Sequence, residues 1–346
     1  MQEQENKEIL PELEAKQEQV QEVFVEYINS EAEKPDSLKE VSPFLYTERT
    51  ENHWTQFWLL LCMVGVGLVA ASFFSLLVVK LMMPQVKLFN LEKELFNPAN
   101  VTAMKVMQLG STILMFFLPA VLFALIIRKK PFSFIGFNCK VSFQQIGLVL
   151  VIACMAILAG GVLSDLNERI PISKHLQESF KKAEEAYNQQ VLAIAKMNNL
   201  KDYLIALIII ALTPAIVEET FFRGTLQQFF IRWFGNPWIA ILFTSIIFSA
   251  IHFSYYGFLT RASLGIVLGL LFYYSKNLWL NILAHFLNNA IAVTLLYVYS
   301  MQGKPPKDAL DDHFPIVLGL VSAAILVYLI FQFKKASEVV LKENEV

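Results

Sequence analysis

Between Phe57 and Phe333 the chain passes through eight apolar stretches of roughly membrane-crossing length. About 20 apolar residues are needed to cross about 30 Å of hydrocarbon. The stretches are Phe57–Val79, Val106–Ile127, Phe143–Leu163, Tyr203 to about Trp233, Pro237 to about Tyr256, Leu259–Ser275, Leu278–Tyr299 and Phe314–Phe333. The fourth is unusually long and the sixth is short for a span. A backbone in lipid must satisfy its own hydrogen bonds, which leaves helices or closed barrels. Runs of this length favour helices. The expected fold is therefore all-α, a polytopic transmembrane bundle of about eight spans. Composition agrees: 55% of the residues are hydrophobic and 17% charged, with a mean hydropathy of +0.50. Soluble domains rarely reach such values.

Charge orients the spans. Basic residues follow the second (Arg128–Lys130), fourth (Arg232), sixth (Lys276) and eighth (Lys334, Lys335). With an even number of spans these fall on one side, which the positive-inside rule makes cytoplasmic, together with both termini. No basic stripe points to nucleic acid. The first 52 residues form a polar, acidic tail without the apolar core of a signal peptide. The remainder divides into N-terminal spans and a loop helix (53–199), a polar-bearing segment (200–298), and a last span with its tail (299–346). Cys62, Cys139 and Cys154 show no metal-type spacing and read as small buried apolar residues.

The loop between the third and fourth spans carries Leu176, Phe180, Ala183, Tyr187, Val191 and Ile194 at three- and four-residue steps. That is one apolar stripe on a helix. Lys181, Lys182, Glu184, Glu185 and Gln189 form its solvated face. The helix lies on the outer membrane surface, covers the bundle as a lid, or packs on loop residues. Gly265 and Gly269 have the spacing that permits close helix contact.

Ionisable groups inside apolar spans cost at least about 2.5–3.5 kcal/mol each and are paired or functional. This chain gathers several within about 75 residues: Glu218, Glu219 and Arg223 in EETFFR, His252 in FSAIH, and His285, Asn288 and Asn289 in HFLNN. Glu219 and Arg223 are four apart, share a helix face and can pair. Glu218 points about 100° away and lacks that partner. An unpaired carboxylate is free to handle a proton. His285 and Asn289 share a face and can present two donors to one point, as an oxyanion requires. Phe248 and His252 share a face too, so that the ring walls a site the imidazole enters. Asn288 faces elsewhere. His53, His175 and His313 read as solvated. Depth is harder to reconcile. At 1.5 Å per residue His252 lies about 22 Å from the start of the fifth stretch, but His285 only about 10 Å from the start of the seventh. Tilted spans, a late start of the fifth, or a deep cavity would bring them together.

EETFFRG, FSAIH and HFLNN resemble the three motifs of the CAAX protease and bacteriocin-processing family of intramembrane peptidases, which includes the Ras-converting CAAX endopeptidase. The flanks, LTPAIVEETFFRGTLQ and LGLLFYYSKNLWLNILAHFLNN, are similar too. The resemblance runs from about Leu200 to Val298. It implies that Glu218, with His252, activates the attacking water, that His285 and Asn289 stabilise the oxyanion, and that Glu219 and Arg223 hold the geometry. It implies a membrane-associated protein or peptide substrate, prenylated or not. The prevalence of the family in prokaryotes, rather than any residue, sets the expectation of a prokaryotic plasma membrane.

These residues predict peptide hydrolysis inside the bundle without a cofactor. Glu218, His252 and His285 could instead ligate zinc, although no HExxH helix is present. Two other functions compete. A proton-coupled carrier would need a polar path to both faces, whereas the polar residues form one cluster. A scaffold or peptide-toxin immunity protein would tolerate loss of Glu218.

Overall fold

The computed structural model describes residues 52–345, apart from 87–90, 92–93, 95–96, 129, 138–139, 196 and 305–314. The N-terminal tail, Cys139 and His313 lie outside the described residues. Among those described, the regular elements are helical. In chain order the helices used below are α1 (His53–Met82), α2 (Val101–Ile127), α3 (Pro131–Ile135), α4 (Phe143–Glu168), α5 (Lys174–Ile194), α6 (Leu200–Phe234), α7 (Pro237–Ala250), α8 (Phe258–Ser275), α9 (Leu278–Met301) and α10 (Ile316–Glu345).

Seven of these are long and apolar enough to cross a membrane: α1, α2, α4, α6, α8, α9 and α10. The protein is an integral membrane helix bundle. The eighth expected span is a correction. The stretch from Pro237 stays apolar, but its helix ends at Ala250 after 14 residues, or about 21 Å. Side-chain contacts stop it there. Asn167, from α4, donates to Tyr255 O (2.8 Å) and accepts from Leu259 N (3.3 Å). Arg261 donates to Ser254 O (2.6 Å), and Ser249 to Phe258 O (2.7 Å). These bonds satisfy the irregular turn at 251–257 internally, as the lack of water in a bilayer demands. Hydropathy does not register such a turn, and its partner Asn167 is 88 residues away from Tyr255.

His252 and His285 do come together, with the Phe248 ring 5.2 Å from one and 5.9 Å from the other, centre to centre. At the start of α9, Leu278 N donates to Gly136 O (2.8 Å), and a Cβ at Gly224 of α6 would meet Ile135 at 2.4 Å. Residues 135–136 thus link the start of α9 to α6 about three turns before the end of that helix.

Packing around the site helix depends on two glycines of α8. A Cβ on Gly265 would lie 2.8 Å from Ser245 Cβ and 3.0 Å from its Cα, on α7. A Cβ on Gly269 would meet Ile241 at 2.8 Å. Their carbonyls also receive α6 side chains: Arg223 donates to Gly265 O (3.2 Å) and Gln227 to Gly269 O (3.0 Å). Gly265→Ala is expected to destabilise the bundle by about 1–3 kcal/mol, because α8 must move off α7 backbone. An unchanged melting temperature would contradict this packing.

Cys62 and Cys154 are exposed on the bundle surface, contrary to the expectation of burial. In a membrane the outward face is apolar as well, so apolar character does not imply an inward position. The same holds for outward residues such as Phe73, Leu81 and Phe331. His53 and His175 are exposed.

Helix α5 begins at Ser173, whose side chain caps Leu176 N. Phe180 stacks on Tyr255 with ring centres 4.6 Å apart and planes 3° apart. Glu184, expected on the solvated face, instead accepts from Ser254 Oγ (2.5 Å). Toward its C-terminus Val191 and Leu192 pack against Ala206, Val293 and Leu296 of α6 and α9. Helix α5 thus packs on the turn that follows α7 and, toward its C-terminus, on α6 and α9.

Candidate active site

Helix α6 carries two π-helical segments, Leu207–Leu212 and Phe222–Gln227, on either side of the α-helical turns at Thr213–Phe221. Such wide turns free backbone carbonyls and occur often at functional sites. Nearby hydroxyls use them here. Thr213 Oγ1 donates to Ile208 O (2.8 Å) and Thr225 Oγ1 to Thr220 O (3.2 Å). Glu218 and Glu219 lie between the two segments.

Glu219 is wholly buried and is the hub of the cluster. Its Oε1 accepts from Arg223 Nη1 (2.6 Å) and from His285 Nδ1 (2.8 Å). Its Oε2 accepts from Asn281 Nδ2 (3.3 Å), which also donates to Leu268 O (2.6 Å). Arg223 is equally buried and lies 4.8 Å from the centre of the Phe248 ring. A buried ion pair persists only when its spare donors and lone pairs are used. Arg223 uses Glu219, Gly265 O and the Phe248 face, with its buried Nε alone left without a hydrogen bond, and Glu219 uses three partners.

Glu218 contrasts with its neighbour. Its side chain is 13% exposed and its Oε2 stands 4.0 Å from His285 Nε2. That is too far for a direct hydrogen bond. Among the described residues it makes no other ion pair. The Nδ1 of His285 is tied to Glu219, so Nε2 is the nitrogen turned toward Glu218.

His252 lies two residues beyond the end of α7. Its Nδ1 lies 2.8 Å from Phe248 O. A carbonyl only accepts, so Nδ1 carries the proton and Nε2 of the neutral ring keeps its lone pair. The Phe248 ring is 5.2 Å from His252 and 5.9 Å from His285, centre to centre. It thus makes edge contacts with both imidazoles. Phe253, next to His252, has the left-handed φ of 50° and is largely exposed, an uncommon conformation for a bulky residue.

Asn289 sits one turn beyond His285. Its Nδ2 donates weakly to Ile210 O (3.4 Å), inside the first π segment. Asn288, expected to face elsewhere, donates to Asn289 Oδ1 (3.1 Å) and so orients its amide. The amide nitrogen of Asn289 retains a second N–H. Asn281 was missed in the sequence. The available signal was its position: a polar residue in an apolar run, four before His285 and hence on its face. Asn281→Ala is expected to lower turnover about tenfold and stability by about 1.5–3 kcal/mol, the range for a hydrogen bond to a charged group. Unchanged turnover would deny Asn281 a part in positioning Glu219 and His285.

Residues 200–291 match the model of a family described as type II CAAX prenyl endopeptidase Rce1-like. The chain carries an Rce1-like segment. No curated protein and no solved structure matches it. The Rce1-like segment reaches from the start of α6 into α9, and contains Glu218, Glu219, Arg223, Phe248, His252, Asn281, His285 and Asn289. Helices α1–α5 and α10 lie outside it. Among the described residues, no three His, Cys, Asp or Glu side chains are grouped as a metal would require.

Proposed function

We propose that this protein is an intramembrane endopeptidase that hydrolyses a peptide bond in a membrane-associated protein or peptide with water activated by Glu218. The observation that carries this reading is the division of labour between adjacent glutamates. Glu219 is saturated by Arg223, Asn281 and His285, whereas Glu218 keeps its carboxylate free beside His285 Nε2. The Rce1-like match supports a protease of the CAAX type.

The steps balance. A water between Glu218 and the His252 Nε2 lone pair gives a proton to Glu218 as its oxygen attacks the peptide carbonyl. The resulting oxyanion accepts from Asn289 Nδ2 and from His285 Nε2–H, when that ring holds both protons. Glu219, accepting from Nδ1–H, stabilises the doubly protonated ring, as a buried carboxylate does for a catalytic imidazolium. The C–N bond then breaks and the proton on Glu218 passes to the leaving amine. A carboxylic acid and an amine result, and the acid then gives its proton to the amine, leaving a carboxylate and an ammonium. No step requires a metal; zinc held by Glu218, His252 and His285 is the competing reading.

The basic residues at the end of the bundle bearing Arg128, Arg232, Lys276 and Lys334 support a cytoplasmic placement of that end. If α7 and α8 form a hairpin that enters and leaves on one side, the six remaining spans return both ends of the bundle to that face. A prokaryotic plasma membrane completes this reading.

The test is cleavage of peptides with and without a prenyl group, by wild-type protein and Glu218→Gln, each with and without chelator. Cleavage lost in the variant but kept with chelator supports the metal-free mechanism. Loss with chelator supports zinc. Equal cleavage by variant and wild type would overturn the role of Glu218, and an inert wild type would favour a scaffold or immunity protein.

A further inference from the structure

Away from the Rce1-like cluster, two arginines meet where α6 ends against α3. Arg128 Cζ lies 4.9 Å from the centre of the Phe134 ring, and Arg232 Cζ lies 5.1 Å from the same centre. They are close enough to repel one another. Neither pairs with an acid among the described residues. The Nε, Nη1 and Nη2 atoms of Arg232 are all shut off from solvent and make no hydrogen bond, and Arg128 Nε is in the same state. The backbone around them is fixed. Gln228, one turn before Arg232, donates to Phe134 O (2.6 Å) and Gly224 O (2.8 Å). A buried guanidinium with no acceptor, as at Arg232, is costly, and the half-buried Arg128 beside it adds repulsion. One aromatic face shared by both does not offset that.

We propose that Arg128 and Arg232 form a receptor for a phosphate group, supplied by the headgroup of an anionic phospholipid. A phosphate offers the acceptor oxygens that a guanidinium fork matches, and its charge removes the repulsion. Position selects a lipid. Trp233 adjoins Arg232 and packs on Trp54 (ring centres 5.1 Å apart). Trp54, Trp58 and Trp238 are each more than half exposed. Exposed tryptophans of this kind sit at headgroup level. The exposed Lys130 borders the pair. Basic pockets between transmembrane helices at that level take anionic headgroups. The receptor is independent of the peptidase reading.

The experiment uses the full chain in three settings: phosphatidylcholine nanodiscs, the same nanodiscs with phosphatidylglycerol added, and detergent with inorganic phosphate. Melting temperature and lipid retained in native mass spectrometry are read for wild type, Arg128→Gln, Arg232→Gln and Arg232→Met. Phosphatidylglycerol is expected to raise the wild-type melting temperature and to remain bound. Either glutamine variant should retain it about tenfold less or worse, the loss of one charged hydrogen-bonding group. Stabilisation by inorganic phosphate but not by the lipid would overturn the lipid source and keep the phosphate receptor. If neither ligand stabilises the wild type, and Arg232→Met melts higher in every setting, the receptor is overturned. Arg128 stands at the end of α2, so Arg128→Gln keeps the test decisive should the Arg232 variants fail to fold.

Discussion

Glu218→Gln is expected to lower peptide cleavage by about 10²–10⁴-fold, the contribution of a positioned acid–base group, while expression and melting temperature stay near wild type. The two halves of that expectation have separate causes. The Gln side chain keeps the size of Glu218 but cannot take the proton from water. Because Glu218 makes no hydrogen bond to the described protein, and its nearest ionisable partner is 4.0 Å away, its replacement leaves no buried partner stranded. Initial rates on a cleaved peptide, measured beside a thermal melt, check both halves. Activity within a few-fold of wild type would remove Glu218 from the reaction. A large fall in melting temperature would make it a structural residue instead.

Arg223→Met, by contrast, is expected to destabilise the protein by about 3–5 kcal/mol, the cost of leaving one member of a buried pair alone. Folded proteins are stable by only about 5–15 kcal/mol, so much of the margin would be lost and yield should fall. Glu219 would keep its charge with only His285 and Asn281 as donors, and Gly265 O would lose its donor. Arg223→Lys should recover part of the loss, since it keeps the charge but not the fork that reaches Glu219 and Gly265 O together. Glu219→Gln with Arg223→Met removes both charges and should be more stable than Arg223→Met alone. Thermal melts of the four proteins in one detergent decide the matter. Equal melting temperatures would show that the pair bears no weight in the fold.

The fold class was legible because lipid imposes one rule, and runs such as Phe57–Val79 and Phe143–Leu163 obey it visibly. The stretch from Pro237 obeyed it too, yet Asn167 and Arg261 end that helix from other parts of the chain. Such contacts leave no mark on local hydropathy. The Glu219–Arg223 spacing was readable because helix periodicity alone decides which residues can meet four apart. Asn281 escaped because its significance comes from Glu219, 62 positions away. The duties of Glu184 and Asn288 escaped for the same reason: a solvated face and a bonded face look alike until the partner, Ser254 or Asn289, is in place. Gly265 and Gly269 were recognisable as a contact, but not as the acceptors that hold Arg223 and Gln227.

The brevity of α7 has a further consequence. A helix of 14 residues reaches about 21 Å into a hydrocarbon layer of about 30 Å. With Pro237 at one edge of the layer, the turn bearing His252 would stop inside it instead of emerging beyond it. Bilayer thickness varies with acyl-chain length, and proteins and lipids adjust to each other at modest cost per ångström of mismatch. Shorter chains bring headgroups and water nearer to His252, and longer chains bury it further. On the proposed mechanism, in which the nucleophile is water, the lipid itself becomes a reaction condition, and membranes of different thickness are expected to set different rates for one and the same chain.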